Sequence, residues 1–222
     1  DWYYGYCEAI HSVDENLGRI LEYVQKNGLA ESTMVIYLSD GGFHLGEHGF
    51  YDKRDAFEPS IRIPLLIWAP GLVEPGTRIE QLVQNIDIAP TVLEAMNVSK
   101  PKDAQWSGTS FLPLLEGRLI PWREYVLYEY HWEWNFPATP TMLAIRTKQY
   151  KYVYYHGIWD INSLHDLASD PEERHNLIDV PAYQETVKAL RDTMFADFQA
   201  RGGLNIPIRV PAGERLDQRK AP

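Results

Sequence analysis

Asp40 and Lys53 bracket the stretch of this chain whose residue types can do chemistry. The apolar run Met34-Val35-Ile36-Tyr37-Leu38 stops at Ser39-Asp40. A loop follows that carries Gly41, Gly42, Gly46 and Gly49, the histidines His44 and His48, the acids Glu47 and Asp52, and Lys53. A carboxylate just past a strand can ligate a hard cation such as calcium or magnesium. Calcium takes roughly six to eight oxygens, so Asp40 cannot hold it unaided. Lys53 offers a compact ammonium suited to an anionic oxygen, and His44 and His48 are candidate acid/base or substrate-binding groups near neutral pH. Each residue also has a plainer reading. An aspartate after a strand often caps a helix or makes an Asx turn, and loop histidines often serve packing or the surface.

The elements that would position these groups follow from periodicity. Residues 4–27 have apolar side chains at helical spacing (Ile10, Val13, Leu17, Leu21, Val24) and end before Gly28, which predicts an amphipathic helix. Cys7 falls on that helix and is expected to be a half-buried, inert thiol. Met34–Leu38 and Arg62–Trp68 read as buried strands, the second stopped by Pro70-Gly71. Ligands in open α/β sheets bind beyond the carboxyl ends of strands, where Asp40 falls. Asp87 reads as the cap of a helix that carries Pro90 in its first turn. Past Pro121-Trp122 the chain becomes aromatic. Met142–Tyr155 predicts antiparallel strands joined through Thr147-Lys148-Gln149. Residues 181–199 predict a helix with Val187, Leu190, Met194 and Phe198 on one face.

The order of motifs resembles that of the type I, formylglycine-dependent sulfatases of the alkaline phosphatase superfamily. The loop is similar to that family's Ser-Asp-(His or Asn)-Gly, Leu-Gly-Glu-His-Gly and Lys series, with Leu45-Gly46-Glu47-His48-Gly49 matching residue for residue. Further segments of the resemblance are Asn85–Leu93 around Asp-x-x-Pro-Thr, Gly108–Gly117, Ile145-Arg146-Thr147, and Asp170-Pro171 with Asn176-Leu177. The nearest flavour is that of bacterial N-acetylglucosamine-6-sulfatase-like enzymes and arylsulfatases. The resemblance implies an α/β fold: the C-terminal part of an alkaline-phosphatase-like mixed sheet flanked by helices, plus a small antiparallel-sheet subdomain with a C-terminal helix. Residues 1–120 would belong to the catalytic domain, 121–200 to the subdomain, and 201–222 to a loosely ordered tail.

The same resemblance implies sulfate ester hydrolysis by the hydrate of a formylglycine, with calcium and basic residues holding the sulfuryl oxygens. Asp40 would then be a calcium ligand and Lys53 a catalytic group on the sulfate or leaving-group oxygen. His131 and Trp132 would be specificity candidates, in an aromatic stretch that can equally serve as subdomain packing. Two departures stand out. Position 41 is glycine where the family carries a second metal ligand, and His44 is a poor stand-in because imidazole suits hard calcium badly. No Cys/Ser-x-Pro-x-Arg motif is present to supply the formylglycine. These 222 residues therefore match the C-terminal half of a longer enzyme, expected to be inactive without its N-terminal half. The partner would be a sulfated carbohydrate or an aryl sulfate. Alternatives are a phosphodiester or phosphonate monoester hydrolase, or a degenerate homologue that binds sulfated glycans without turnover.

Composition excludes other classes. A net charge of −10 argues against nucleic acid, which wants clustered lysine and arginine. No apolar run of about eighteen residues occurs, so no membrane-spanning helix is expected. A single cysteine cannot form an internal disulfide and leaves the compartment open. The resemblance suggests a periplasmic, secreted or lysosomal setting.

Overall fold

A computed structural model of the chain describes residues 2–133, 135–157 and 161–206. Helix α1 (Trp2–Lys26) leads into strand β1 (Val35–Leu38). A short hairpin of β2 (His44–Leu45) and β3 (Tyr51–Asp52) precedes the one-turn helix α2 (Glu58–Ile61) and strand β4 (Leu65–Trp68). Then come α3 (Ile88–Ala95), α4 (Leu112–Leu115), the strands β5 (Tyr125–Tyr130), β6 (Met142–Thr147), β7 (Tyr150–Tyr155) and β8 (Ser163–Asp166), and α5 (Gln184–Ala200). The described residues include no helix long and apolar enough to cross a membrane.

β1 pairs with β4 antiparallel, from Val35↔Trp68 to Leu38↔Leu65. The carboxyl end of β1 therefore lies beside the start of β4, and the Asp40 loop opens at the same edge as α2. One face of this pair rests on Phe111, Leu112, Leu114 and Leu115, joined by Met34, Ile67, Val83 and Ile88. The expectation of fully buried strands is corrected: the pair is two-stranded, so it is covered on one face only, and Leu66 is 62% exposed. Cys7 is likewise exposed rather than half-buried. The apolar stripe of α1 packs through Val24 near its end, while Ile10, Val13 and Ile20 face outward.

The second unit is a four-stranded antiparallel meander in the order β5-β6-β7-β8. Strand alternation gives it two buried faces. Leu143, Ile145, Tyr152 and Leu164 meet Val187, Met194 and Phe198 of α5. On the opposite face Met142, Ala144 and Val153 close over Ala56, which lies between Lys53 and α2. The meander thus packs directly against the loop that carries Lys53. Of the tail, residues 201–204 form turns; residues 207–222 lie outside the described set.

Asp87 does not cap α3 with its side chain. Its fully buried carboxylate accepts the main-chain N–H groups of Gln84 and Thr109, each at 2.8 Å, and a two-pronged pair from Arg123, both arms at 2.7 Å. Thr91 continues the same tie: its hydroxyl donates to the Asp87 carbonyl and accepts the Phe111 N–H. Gly108 completes it, because a Cβ there would sit 1.9 Å from the Ile86 carbonyl oxygen. The Asp-x-x-Pro-Thr and Gly-x-Ser segments are therefore two halves of one structural joint.

Candidate functional site

The loop after β1 is shaped by glycine and by strained backbone. Gly42 presses on α2 so closely that a Cβ would come within 2.0 Å of the Pro59 carbonyl oxygen. Its N–H donates to the Ser60 carbonyl at 2.9 Å, and that of Phe43 donates to Pro59 at 2.8 Å. On the other limb Asp52 and Arg54 hold φ of 83° and 89°, on either side of Lys53. Left-handed backbone at non-glycine residues costs about 1–3 kcal/mol each and persists where the surroundings over-determine it.

This backbone brings Asp40 and Lys53 together. Lys53 Nζ lies 3.8 Å from Asp40 Oδ2, with the lysine side chain 36% and the aspartate 92% exposed. Both line one cavity of about 1220 Å3 between the β1–β4 edge and the meander, shared with Arg54, Glu58, Tyr128 and Arg146. The Lys53 side chain runs past Gly41, with Cδ and Nζ each 3.4 Å from where a Cβ would stand, an ordinary contact distance.

The histidines and Trp132 are placed elsewhere. His44 is fully buried, with Nε2 2.8 Å from Asp55 Oδ2 but off the direction of a hydrogen bond. His48 is exposed and stacks on Phe57, ring centroids 3.9 Å apart. His131 and Trp132 follow β5, between the cavity-lining Tyr130 and Glu133. His131 Nε2 approaches Glu129 at 3.6 Å, and the Trp132 indole N–H donates to Pro137. Trp134, from the same aromatic stretch, lies outside the described residues.

A buried charge cluster, not apparent in the sequence, anchors α2 to the meander. Glu58 meets Arg146 (3.3 Å) and the fully buried Lys151 (3.2 Å), and Lys151 also meets Glu173 at 2.5 Å. Glu173 in turn accepts the Glu58 main-chain N–H. Burial pushes the Glu58 carboxyl up, but Lys151 and Arg146 outweigh it and hold the group below the usual carboxylate range. At Glu173 burial prevails over Lys151 and the carboxyl is raised. The readable clue was strand alternation, which sets Lys151 on the same inward face as Val153.

His165, buried beside this cluster, is pushed down to about 4 by burial and by Lys151. The unfolded chain, near 6.5, therefore binds a proton that the folded chain refuses between about pH 6.5 and pH 4. Stability falls as pH drops through that window and is unaffected by this group above it. Urea midpoints should show about 2 kcal/mol of the wild-type loss between pH 7 and pH 5 disappearing in His165→Gln. Parallel pH profiles for the two proteins would refute this.

Among the described residues, no group of three or more His, Cys, Asp or Glu side chains could hold a metal. Asp40 brings one carboxylate, Gly41 brings no donor and His44 is engaged with Asp55. The described residues by themselves do not complete a calcium site; Asp40 would bring one oxygen ligand of the several that calcium needs.

Comparison with known proteins identifies the family. Residues 46–200 match the family model of the N-sulphoglucosamine sulphohydrolase C-terminal region. An N-acetylglucosamine-6-O-sulfatase of Bacteroides thetaiotaomicron is 35% identical over 83% of this chain and 33% of its own length. A choline-sulfatase of Rhizobium meliloti is 33% identical over 84% of this chain and 36% of its own. The chain thus spans about a third of the curated relatives it matches. A solved structure in complex with its substrate D-glucosamine-2-N,6-O-disulfate superimposes with a TM-score of 0.80 at 32% identity, covering 89% of this chain and 40% of that one. The phosphonate monoester hydrolase of Agrobacterium radiobacter superimposes with a TM-score of 0.76 at 26% identity, covering 86% and 40%. By sequence and by fold alike, the chain belongs to the sulfatase family of the alkaline phosphatase superfamily, whose C-terminal portion it matches.

Proposed function

We propose that this chain supplies one corner of a sulfuric ester hydrolase site, acting in a longer protein on a sulfated sugar or an aryl sulfate. The observation that carries the reading is the meeting of Asp40 and Lys53 in one cavity, in a chain of the sulfatase family. Lys53 grips a sulfate or leaving-group oxygen, where a fixed cation stabilises charge that develops in the transition state. Asp40 is one ligand of a calcium ion whose other ligands, like the formylglycine, lie outside these 222 residues. The sulfated amino sugar in the complex of a similar structure favours a carbohydrate substrate. His131 and Trp132, flanked in sequence by the cavity-lining Tyr130 and Glu133, are then residues that shape specificity, and His44 and His48 support the loop. In this reading residues 1–120 complete the catalytic domain, 121–200 form the subdomain and 201–222 the tail.

A second reading, phosphonate or phosphodiester hydrolysis, draws on the likeness to the phosphonate monoester hydrolase. One experiment separates them. The 222-residue chain and the longer, formylglycine-matured protein are each given an aryl sulfate, a 6-sulfated glucosamine and a phenyl phosphonate monoester. The longer protein is expected to turn over the sulfates and the chain alone to be inert. Sulfate turnover by the chain alone, or a preference of the longer protein for the phosphonate, would defeat the proposal.

A further inference from the structure

We infer that Ser60 is a positioning residue that sets the spacing between Asp40 and Lys53. The inference deepens the proposed function, and rests on it for its kinetic arm alone. Ser60 is buried in α2 and receives both limbs of the site loop. Its carbonyl accepts the N–H of Gly42, two residues past Asp40, at 2.9 Å. Its hydroxyl oxygen accepts the N–H of Arg54, one residue past Lys53, at 3.2 Å, and lies 3.5 Å from the N–H of Asp55. The limb bearing the carboxylate and the limb bearing the ammonium therefore end on two atoms of one residue.

The limbs are also tied by the approach of buried His44 Nε2 to Asp55 Oδ2 at 2.8 Å and by a short hairpin, neither of which holds the Arg54 amide. The β2–β3 hairpin joins them through the pairs His44↔Asp52 and Leu45↔Tyr51. The hydroxyl matters for a second reason: the amide it accepts belongs to Arg54, whose φ is 89°. Strained backbone needs such a partner to persist. Without the hydroxyl, Arg54 relaxes toward negative φ and the adjoining Lys53 turns away from Asp40. The seat of Ser60 is itself fixed, because Glu58 locks α2 to Lys151 and Arg146. Gly42 is pressed against α2, so the Asp40 limb stays where it is when the hydroxyl is removed.

The test joins the pair covalently. A zero-length carbodiimide condenses a carboxylate and an amine into an amide with loss of water, and peptide mass spectrometry reads the Asp40–Lys53 product. In the intact chain the cross-link is expected to form, and Ser60→Ala to lower its yield at least fivefold while the protein stays folded by circular dichroism. An unchanged yield in Ser60→Ala, or no cross-link in the wild type, would overturn the inference. In the longer, matured protein Ser60→Ala is expected to lower kcat about tenfold at constant KM, and an unchanged kcat would overturn it too. The cross-link needs no activity. A longer protein that cleaves no sulfate ester refutes the proposed function, and the cross-linking yield still decides the role of Ser60.

Discussion

Lys53→Ala in the longer, matured protein should lower kcat/KM for a sulfate ester by about 10²- to 10³-fold, the loss typical of removing one preorganised charge-stabilising donor. The protein itself should hardly notice. Lys53 is partly exposed and its 3.8 Å approach to the solvent-facing Asp40 is a surface ion pair, worth about 0–1 kcal/mol to stability. That separation of effects makes the prediction sharp. Lys53→Arg should recover little, since a planar guanidinium does not reproduce a compact ammonium. Steady-state kinetics paired with thermal melts decide the matter. Full activity in Lys53→Ala would remove this lysine from the chemistry, and a large drop in melting temperature would mean that its role is structural.

Asp87→Ala should destabilise the fold by about 3–5 kcal/mol, the cost of breaking a buried ion pair by removing one partner. The change strands the Arg123 guanidinium and leaves the Gln84 and Thr109 N–H groups without their acceptor. Asp87→Asn keeps the shape and one acceptor but loses the charge, and should fall between wild type and alanine. Urea unfolding of the chain measures both. A cost under about 1 kcal/mol for Asp87→Ala would show that the joint between α3 and the Gly108 segment is held by packing alone.

Much of this arrangement was legible before any coordinates. The Asp40–Lys53 region stood out because glycines, acids and a lysine in fixed order leave few other readings. The paired strands β6 and β7 and helix α5 followed from the strand-like run Met142–Tyr155 and from the helical spacing of Val187, Leu190, Met194 and Phe198, and the four-stranded sheet from the family resemblance. What escaped depends on partners distant in sequence. Asp87 looks like a cap until Arg123, 36 positions on, is seen clasping it. Alternation sets Lys151 on the inward face with Val153, but nothing local names the partner that lets a lysine be wholly buried there, a glutamate 93 positions earlier. Ser60 has no motif at all; its importance lies in where its oxygens point. On α1 periodicity marks the apolar stripe, but it reports that a face is apolar and not whether anything covers it. Ile10, Val13 and Ile20 are exposed, and so is Cys7.

The contact between Glu58 and Glu173 spans 115 positions. Synthesis runs from the amino end, so Asp40, Lys53 and Ser60 leave the ribosome long before the residues that clamp α2. A nascent chain halted short of Lys151 and Glu173 has its loop unclamped, however complete the loop's own sequence. The clamp on the Asp40–Lys53 corner thus waits for residues made much later, and a nick between β8 and α5 that released Glu173 would slacken it without touching a residue near the cavity.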